Sequence, residues 1–489
     1  MRSVFIVAAS VLALLCLCST TAAGADVIVL KSGRRIVVLA ATEKGDQVTG
    51  EMQEGEITLP KSLVERIEHH PAESTSGKGG RSASAETLSI APPSRSEAGS
   101  LSGADPGATS GAVHGGKVDT AYISNADLAA GGGTPEALLR AAAAHNAAAL
   151  FEADHGNIDS AIEQEQHALR FQPENTSVLL NLGYYHLRRS EFSAALDYLD
   201  RAKRLAPDSP DAAKLLGWAN YGLNRIPEAV TEWKRAQLLR PDPEVAQALQ
   251  KAQRDAEAES QFREGQTNHF VLRYSGDETS ALAHDILDTL EEDFDSIRDS
   301  LRYTPPEPIG VILYTDQEFA GIAHAPSWVG AVNDGRIRVP VQGLSTVNEA
   351  LARELKHELT HSFLQQKTSN RCPTWLQEGI AQWMEGSRSR DSAAALVAAY
   401  DSRTAIPLRD LEVSWMNLST EGASLAYSWS LAVVETIIET GGMSDLNRLL
   451  DAISAKGATE AAVRQVLHED YFTLESQTAA YLRRAYLGN

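Results

Sequence analysis

Residues 347–366 read VNEALARELKHELTHSFLQQ, and this stretch decides how the C-terminal part of the chain folds. Large apolar side chains recur in it at steps of four, which is the spacing of one face of an α-helix. This apolar stripe consists of Leu351, Leu355, Leu359 and Phe363. The pattern predicts a helix from about Val347 to Gln366 with one face directed at a core.

The segment His357–Glu358–Leu359–Thr360–His361 places ionisable groups on this helix. His357 and His361 are one turn apart, so both imidazoles can reach one metal ion. Glu358 is turned by about 100° and can take a proton from a water on that ion without being a ligand. Two imidazoles and one carboxylate suit catalytic zinc, so a carboxylate from another element is needed.

A second segment, residues 371–379 (RCPTWLQEG), supplies that carboxylate. It predicts the start of the next helix, with Thr374 and Gln377 as a capping box. Glu378 then lies in the second turn, and a helix–turn–helix can bring it back onto the ion. Gly379 would let this helix press against the helix of the histidines.

Together the two segments resemble the gluzincin metallopeptidases, most closely the peptidase MA-like family that is often fused to tetratricopeptide repeats. The matching residues are His357–His361 and Pro373–Ala381, and the likeness covers roughly 262–485. The resemblance implies an α+β zincin-like metallopeptidase domain that acts on peptide or protein substrates. The strand-like residues 269–274 and 309–314, followed mainly by helical patterns, agree with an α+β order.

The resemblance also implies individual roles. Zn²⁺ would be held by His357, His361 and Glu378, and Glu358 would be the catalytic base that passes a proton to the leaving amine. Glu385, seven residues after Glu378, is the alternative third ligand. An endopeptidase is the preferred interpretation and an aminopeptidase the alternative.

The reaction needs a hydrogen-bond donor for its oxyanion, and we expect this donor in the chain segment that follows the two ligand helices. Tyr427 is the candidate, because related enzymes place a Tyr or His in the following helical segment; a buried core aromatic is the other interpretation. His468 is a second candidate, although an ordinary surface or core histidine would explain it. Gln382 could bond a ligand or could face solvent.

The strand predicted at Gly335–Val339 carries Arg336 and Arg338 on one face. In zincins such a strand forms an edge beside the metal, where an extended substrate can add. We interpret the two arginines as charges that guard a solvated edge, with binding of a substrate carboxylate as the alternative. The preceding segment 330–334 is loosely similar to the substrate-binding strand of aminopeptidases.

Residues 135–261 predict an all-α repeat domain with a period of 34 residues. The columns that recur at this spacing are Pro173, Pro207 and Pro241; Ala161, Ala195 and Ala229; Ala168, Ala202 and Ala236. They resemble tetratricopeptide repeats, which implies a solenoid whose concave surface binds a peptide or protein partner. A spacer that orients the next domain is the alternative.

The N-terminal residues predict export. Residues 1–24 combine a positive start, an apolar run from Val4 to Cys18 and small residues near the end, which is typical of a signal peptide. The mature protein is then expected to be periplasmic or extracellular and bacterial, without a stable membrane span; an uncleaved anchor is the alternative. Residues 25–69 predict a small SH3-like β module, and the Ser- and Gly-rich residues 70–134 a flexible linker.

The whole-chain composition excludes some classes of protein. The 489 residues carry 44 basic and 65 acidic side chains, a net charge of −21, which opposes unaided binding to nucleic acid or an anionic membrane. Loss of Cys16 and Cys18 with the signal peptide leaves Cys372, interpreted as a packing residue. A Cys-ligated zinc site is thereby excluded.

The sequence thus predicts an exported zinc metallopeptidase with a repeat domain for a partner or substrate. A catalytically inactive peptidase-like domain in a repeat scaffold is the alternative. The presence of all three ligands and the base disfavours such decay.

Overall fold

The computed structural model describes residues 26–68 and 111–488, with short gaps. The gaps are residues 31–34, 39, 45–46, 53–54, 62–63, 277–279, 315–331, 334, 342–343, 414, 416–417 and 457–458. The predicted signal peptide, residues 1–24, lies outside the described residues. The chain divides into two compact units, Met1–Ser82 and Ala83–Asn489.

The first unit contains six short strands. They are β1 (Asp26–Leu30), β2 (Arg35–Val38), β3 (Ala40–Lys44), β4 (Gln47–Met52), β5 (Gly55–Pro60) and β6 (Val64–Glu68). Two three-stranded antiparallel sheets result, in the orders β2-β1-β6 and β3-β4-β5. Val48 is fully buried between its neighbours. An SH3-like identity for this module stays a prediction.

The second unit begins earlier than the sequence predicted, because the expectation of a linker to residue 134 is wrong for residues 111–134. A hairpin of β7 (Val113–His114) and β8 (Lys117–Val118) precedes helix α1 (Thr120–Ala130), which Asp119 caps. Small side chains let α1 pack closely on the next helix. Alanines within the end of the predicted linker therefore belong to the packing surface of a helix pair.

Seven further helices form an array of packed neighbours. They are α2 (Pro135–Asp154), α3 (Ile158–Phe171), α4 (Thr176–Arg188), α5 (Phe192–Leu205), α6 (Pro210–Gly222), α7 (Ile226–Leu239) and α8 (Pro243–Ala258). A Cβ at Gly183 would collide with Leu199, and one at Gly217 with Trp233. The repeated glycines thus permit close helix contact; the tetratricopeptide identity stays a prediction.

A five-stranded mixed sheet follows, in the order β12-β13-β11-β10-β9. Its strands are β9 (Arg263–Gln266), β10 (Phe270–Tyr274), β11 (Ile309–Tyr314), β12 (Val332–Asn333) and β13 (Ile337–Pro340). The three central strands are parallel, and both edge strands are antiparallel to their neighbours. Helix α9 (Ser280–Leu301) connects β10 to β11 and packs its apolar face into the core.

Helices occupy the rest of the chain, so the expected order of strands before helices is present. They are α10 (Glu349–Lys367), α11 (Thr374–Met384), α12 (Ala393–Asp401), α13 (Thr420–Lys456, kinked at Gly442), α14 (Thr459–Val466) and α15 (Tyr471–Leu482). Trp375, Trp429 and Phe363 are among the largest fully buried side chains. Within the described ranges, no helix is both long and apolar enough to cross a membrane.

The interpretation that Arg336 and Arg338 guard a solvated sheet edge is wrong. Arg336 and Arg338 are 2% and 0% exposed, and β13 is an inner strand of the sheet. Arg336 Nη2 donates to Glu259 Oε2 at 2.6 Å, and Arg338 Nη2 donates to Asp255 Oδ2 at 2.9 Å. Opposite charges with hydrogen bonds offset the cost of burial. This buried ion cluster joins the helix array to the sheet.

Candidate metal centre

Helix α10 positions the two histidines. Leu351, Leu355, Leu359 and Phe363 all lie in the core, as the stripe predicted. Asn348 begins the helix by accepting a hydrogen bond from the amide of Leu351 at 2.9 Å. With the apolar face anchored, His357 and His361 lie on a different face, one turn apart.

Helix α11 brings the predicted carboxylate to these imidazoles. Glu378 Oε2 lies 3.4 Å from His357 Nε2 and 3.6 Å from His361 Nε2. The three side chains are 16%, 18% and 12% exposed respectively, and their ligand atoms all lie within 4.8 Å of one another. The structure therefore brings together all three ligands proposed from the sequence.

The Glu378 oxygen is unusual in its surroundings. Oε2 is buried and has no hydrogen-bond partner among the described residues, although it faces two imidazole nitrogens. Tetrahedral zinc with ligand bonds of about 2.0–2.1 Å separates its ligand atoms by about 3.3 Å. The two measured separations are close to that value, so the residues fit a zinc ion.

Glu385, the alternative ligand, lies on the other side of the His357 ring. Its Oε2 is 2.7 Å from His357 Nδ1, and its Oε1 accepts a hydrogen bond from Ser387 at 2.6 Å. A carboxylate on Nδ1 selects the tautomer that leaves Nε2 free for a metal. Glu385 therefore lies where it can orient the His357 ring, and Glu378 is the carboxylate whose oxygen faces both Nε2 atoms.

The surroundings of Glu358 and Glu378 shift the pKa values of the two carboxylates in opposite directions. Burial raises the pKa of Glu358 above its ordinary value, although the His361 and His357 charges partly oppose this. Burial would also raise the pKa of Glu378, but the His361 charge and the close approach of the His357 and His361 imidazoles hold it well below the usual range. Glu378 thus stays ionised, as a ligand must, while Glu358 can accept and return a proton.

His357 itself has a raised pKa in the absence of an ion. Burial opposes its protonation, but the nearby Glu378 carboxylate and the hydrogen bond to Glu385 overcome this and raise the pKa well above the ordinary value. A metal ion must therefore displace a proton here, as in other histidine sites.

Tyr427, the oxyanion candidate, lies on α13 near both carboxylates. The negative charge of Glu378, then burial and Glu358, raise the pKa of its hydroxyl, so the hydroxyl remains a donor. Its ring meets Trp415 edge to face with centroids 5.0 Å apart. Gln382 Nε2 donates to the Glu378 carbonyl at 3.0 Å and the Tyr427 carbonyl at 2.9 Å, which ties α11 to α13.

His468 has a different setting. It is exposed, lies two residues after the end of α14 and adopts a left-handed φ of 61°. This conformation fits a residue that ends a helix.

Two local predictions about α11 are wrong. Pro373, not Thr374, is the N-cap, and Gln377 Nε2 donates to the Cys372 carbonyl at 2.7 Å, so no capping box forms. Gly379 does not face α10. A Cβ there would approach Val434 Cγ2 to 2.7 Å and the Ser430 carbonyl still more closely, so the glycine allows α11 to press against α13.

Asn333 is a site residue that the sequence interpretation did not identify. From edge strand β12 its Nδ2 donates to the Glu358 carbonyl at 2.8 Å and to Ser362 Oγ at 2.7 Å. This fixes the sheet edge against α10. Residues 330, 331 and 334 of the surrounding segment lie outside the described residues, and an asparagine before a Gly turn carries no signal for such a tether.

Comparison with known proteins agrees with this geometry. Residues 298–484 match the family model of the Peptidase MA superfamily. The match includes His357, Glu358, His361 and Glu378, so this segment is a peptidase MA-like domain. A search of curated proteins found no match to the chain.

Proposed function

We propose that the protein is a zinc-dependent metallopeptidase, with His357, His361 and Glu378 as the metal ligands. The observation that carries the proposal is the buried, unpartnered Glu378 oxygen that faces both Nε2 atoms. Such an atom costs free energy unless a cation or donor satisfies it. When bound, zinc would polarise a scissile carbonyl and lower the pKa of a water.

Glu358 is the proposed proton carrier. Its raised pKa lets it take the proton of the attacking water and return it to the departing amine. Asn333 supports this role, because its hydrogen bond to the Glu358 carbonyl holds this turn of α10 in position. The Tyr427 hydroxyl, kept protonated by its surroundings, donates to the oxyanion that develops on the substrate.

The sheet edge supports an endopeptidase. Among the described residues, β12 is the edge strand beside β13, and Asn333 tethers it to the Glu358 turn. An extended substrate that adds to such an edge is held through its main chain, without need for a free terminus. The substrate would thus be an unfolded or extended segment of a protein.

Export and partner binding complete the proposal. The N-terminal pattern of residues 1–24 supports secretion through a signal peptide. The 34-residue period supports a protein partner or substrate on the helix array. N-terminal sequencing of the mature protein from the periplasm or medium tests export.

The activity test compares parent and Glu358→Gln on one peptide library with free N-termini and one with blocked N-termini. We expect the parent to cleave both libraries and Glu358→Gln to cleave neither while it retains zinc. The exposed Glu349→Gln, in the first turn of the same helix, is the matched control and should remain active. Cleavage by Glu358→Gln would refute the mechanism, and cleavage of free N-termini alone would refute an endopeptidase.

A further inference from the structure

A cavity of about 130 Å³ lies between the helix array and the peptidase domain, apart from the metal ligands. Helices α4 and α6 contribute Leu187 and Trp218, and β11 contributes Gly310. Helix α10 closes the cavity with Ser362 and Gln366. The space is large enough for a small organic molecule as well as for water.

The side-chain amide of Asn224 lines this cavity. Asn224 is 5% exposed, and neither its Nδ2 nor its Oδ1 has a hydrogen-bond partner in the described part of the chain. Its main-chain carbonyl is used separately, as an acceptor for Arg273 at 3.1 Å. A buried amide whose donor and acceptor are both unmet destabilises the fold, so a molecule in the cavity is expected to satisfy it.

Part of the remaining wall is flat and apolar, and polar side chains such as Ser362, Gln365 and Gln366 form the rest. The rings of Phe192, Trp218 and Tyr221 line the same space. The charged groups nearby already have partners: Arg336 Nη1 is 2.8 Å from Glu259 Oε1, and both Glu307 oxygens accept hydrogen bonds from Ser193. A neutral ligand is therefore favoured over an ion.

From these features we propose that the cavity is a binding site for a small neutral ligand with a flat apolar body and an amide head. The carboxamide of Asn224 offers one donor and one acceptor, which match the acceptor and donor of another amide. The aromatic rings would contact the apolar body. This site is independent of the proposed peptidase activity.

Benzamide is the probe, because it combines an aromatic ring with a neutral carboxamide. Saturation-transfer NMR and calorimetry of the full chain, with chelator present, should detect benzamide at millimolar concentration but much weaker binding of toluene and benzoate. Neither measurement depends on zinc or turnover. If benzamide does not bind, the cavity holds only water and the proposal is overturned.

Asn224→Gly tests the polar contact without changing the backbone, because Asn224 has a left-handed φ of 59° that glycine adopts freely. We expect benzamide affinity to fall about tenfold or more through loss of two hydrogen bonds. Asn370→Gly is the matched control: this exposed asparagine at the cavity rim has the same φ of 59°. The affinity of the Asn370→Gly protein for benzamide should stay within about twofold of the parent value.

Gly310→Ala provides a second variant should Asn224→Gly fail to fold. The added Cβ would lie 3.5 Å from Asn224 Cγ, an ordinary contact that narrows the approach to the amide. We expect weaker benzamide binding and an intact fold by circular dichroism. Unchanged affinity of Asn224→Gly for benzamide contradicts the proposal. If Asn224→Gly does not fold, unchanged affinity of Gly310→Ala for benzamide contradicts it.

Discussion

Replacement of Gly379 by alanine tests how the fold places the third metal ligand. Gly379 follows Glu378 on α11 and faces α13, where an added Cβ would lie 2.7 Å from Val434 Cγ2. Ordinary carbon–carbon contact needs about 3.5–4.0 Å, so the helices must separate by about 1 Å. The Ser430 carbonyl is closer still and belongs to the main chain, so it cannot rotate away.

The expected cost follows from this geometry. Overpacking a tight contact costs about 1–3 kcal/mol, and alanine's better helix propensity returns about 1 kcal/mol. Since the main chain cannot yield, we expect a net loss near the upper end, about 2 kcal/mol. Displacement of Glu378 by a fraction of that 1 Å exceeds the tolerance of about 0.2 Å for metal–ligand distances. Zinc affinity should therefore fall about tenfold or more.

Two assays measure these effects in Gly379→Ala. Urea unfolding in the presence of chelator reports stability, and competition with a chromophoric chelator reports zinc affinity. Gly422→Ala is the control, because at this helical glycine of α13 an added Cβ would lie no closer than 3.3 Å to Ser419 Oγ and 3.7 Å to Leu418 Cβ. The control should be unchanged or about 1 kcal/mol more stable. Equal stability and equal zinc affinity for parent and Gly379→Ala would refute the packing argument.

Three further predictions concern groups around the site and the buried ion cluster. Glu385→Gln should weaken zinc binding about 10- to 100-fold in the chelator competition, because the carboxylate on His357 Nδ1 is lost. Tyr427→Phe should lower kcat by about 10²–10³-fold with zinc content unchanged, as measured on a cleaved peptide. Asp255→Asn should cost about 3–5 kcal/mol in urea unfolding, because buried arginines lose a partner, whereas the exposed Arg298→Ala should have little effect.

The stability that Asp255 contributes, measured as the loss in Asp255→Asn, should depend on pH. Burial would raise the pKa of Asp255, but Arg338, Lys251 and Arg336 hold it well below its ordinary value. The folded protein therefore binds fewer protons at this site than the unfolded chain, and the stabilisation is present above the unfolded pKa of about 3.9. The stability difference between parent and Asp255→Asn should shrink as the pH falls below about 4. A constant difference down to the most acidic pH measured would contradict this assignment.

The cluster of His357, His361 and Glu378 was predictable because its signal is local. The spacing of His357 and His361 determines a shared helix face, and Glu378 falls on the next helix after a short turn. The repeated small residues likewise predicted close helix pairs, and Gly183 and Gly217 occupy such contacts.

What the sequence could not predict depends on distant partners. Arg338 looks like a surface charge by itself, and its carboxylate partner Asp255 is 83 positions away. Gly379 was predicted to face the nearest helix, but the chain returns α13 to that face. Glu385 was weighed only as a ligand, since sequence spacing does not tell which ring nitrogen it approaches.

Zinc binding by the three proposed ligands is the central claim, and metal analysis with X-ray absorption on the purified full chain tests it most directly. We predict stoichiometric zinc coordinated by two imidazole nitrogens and oxygen, with the metal lost in His357→Ala, His361→Ala and Glu378→Ala. Absence of zinc from the parent after equilibration with the metal, or full retention in all three variants, would contradict the account.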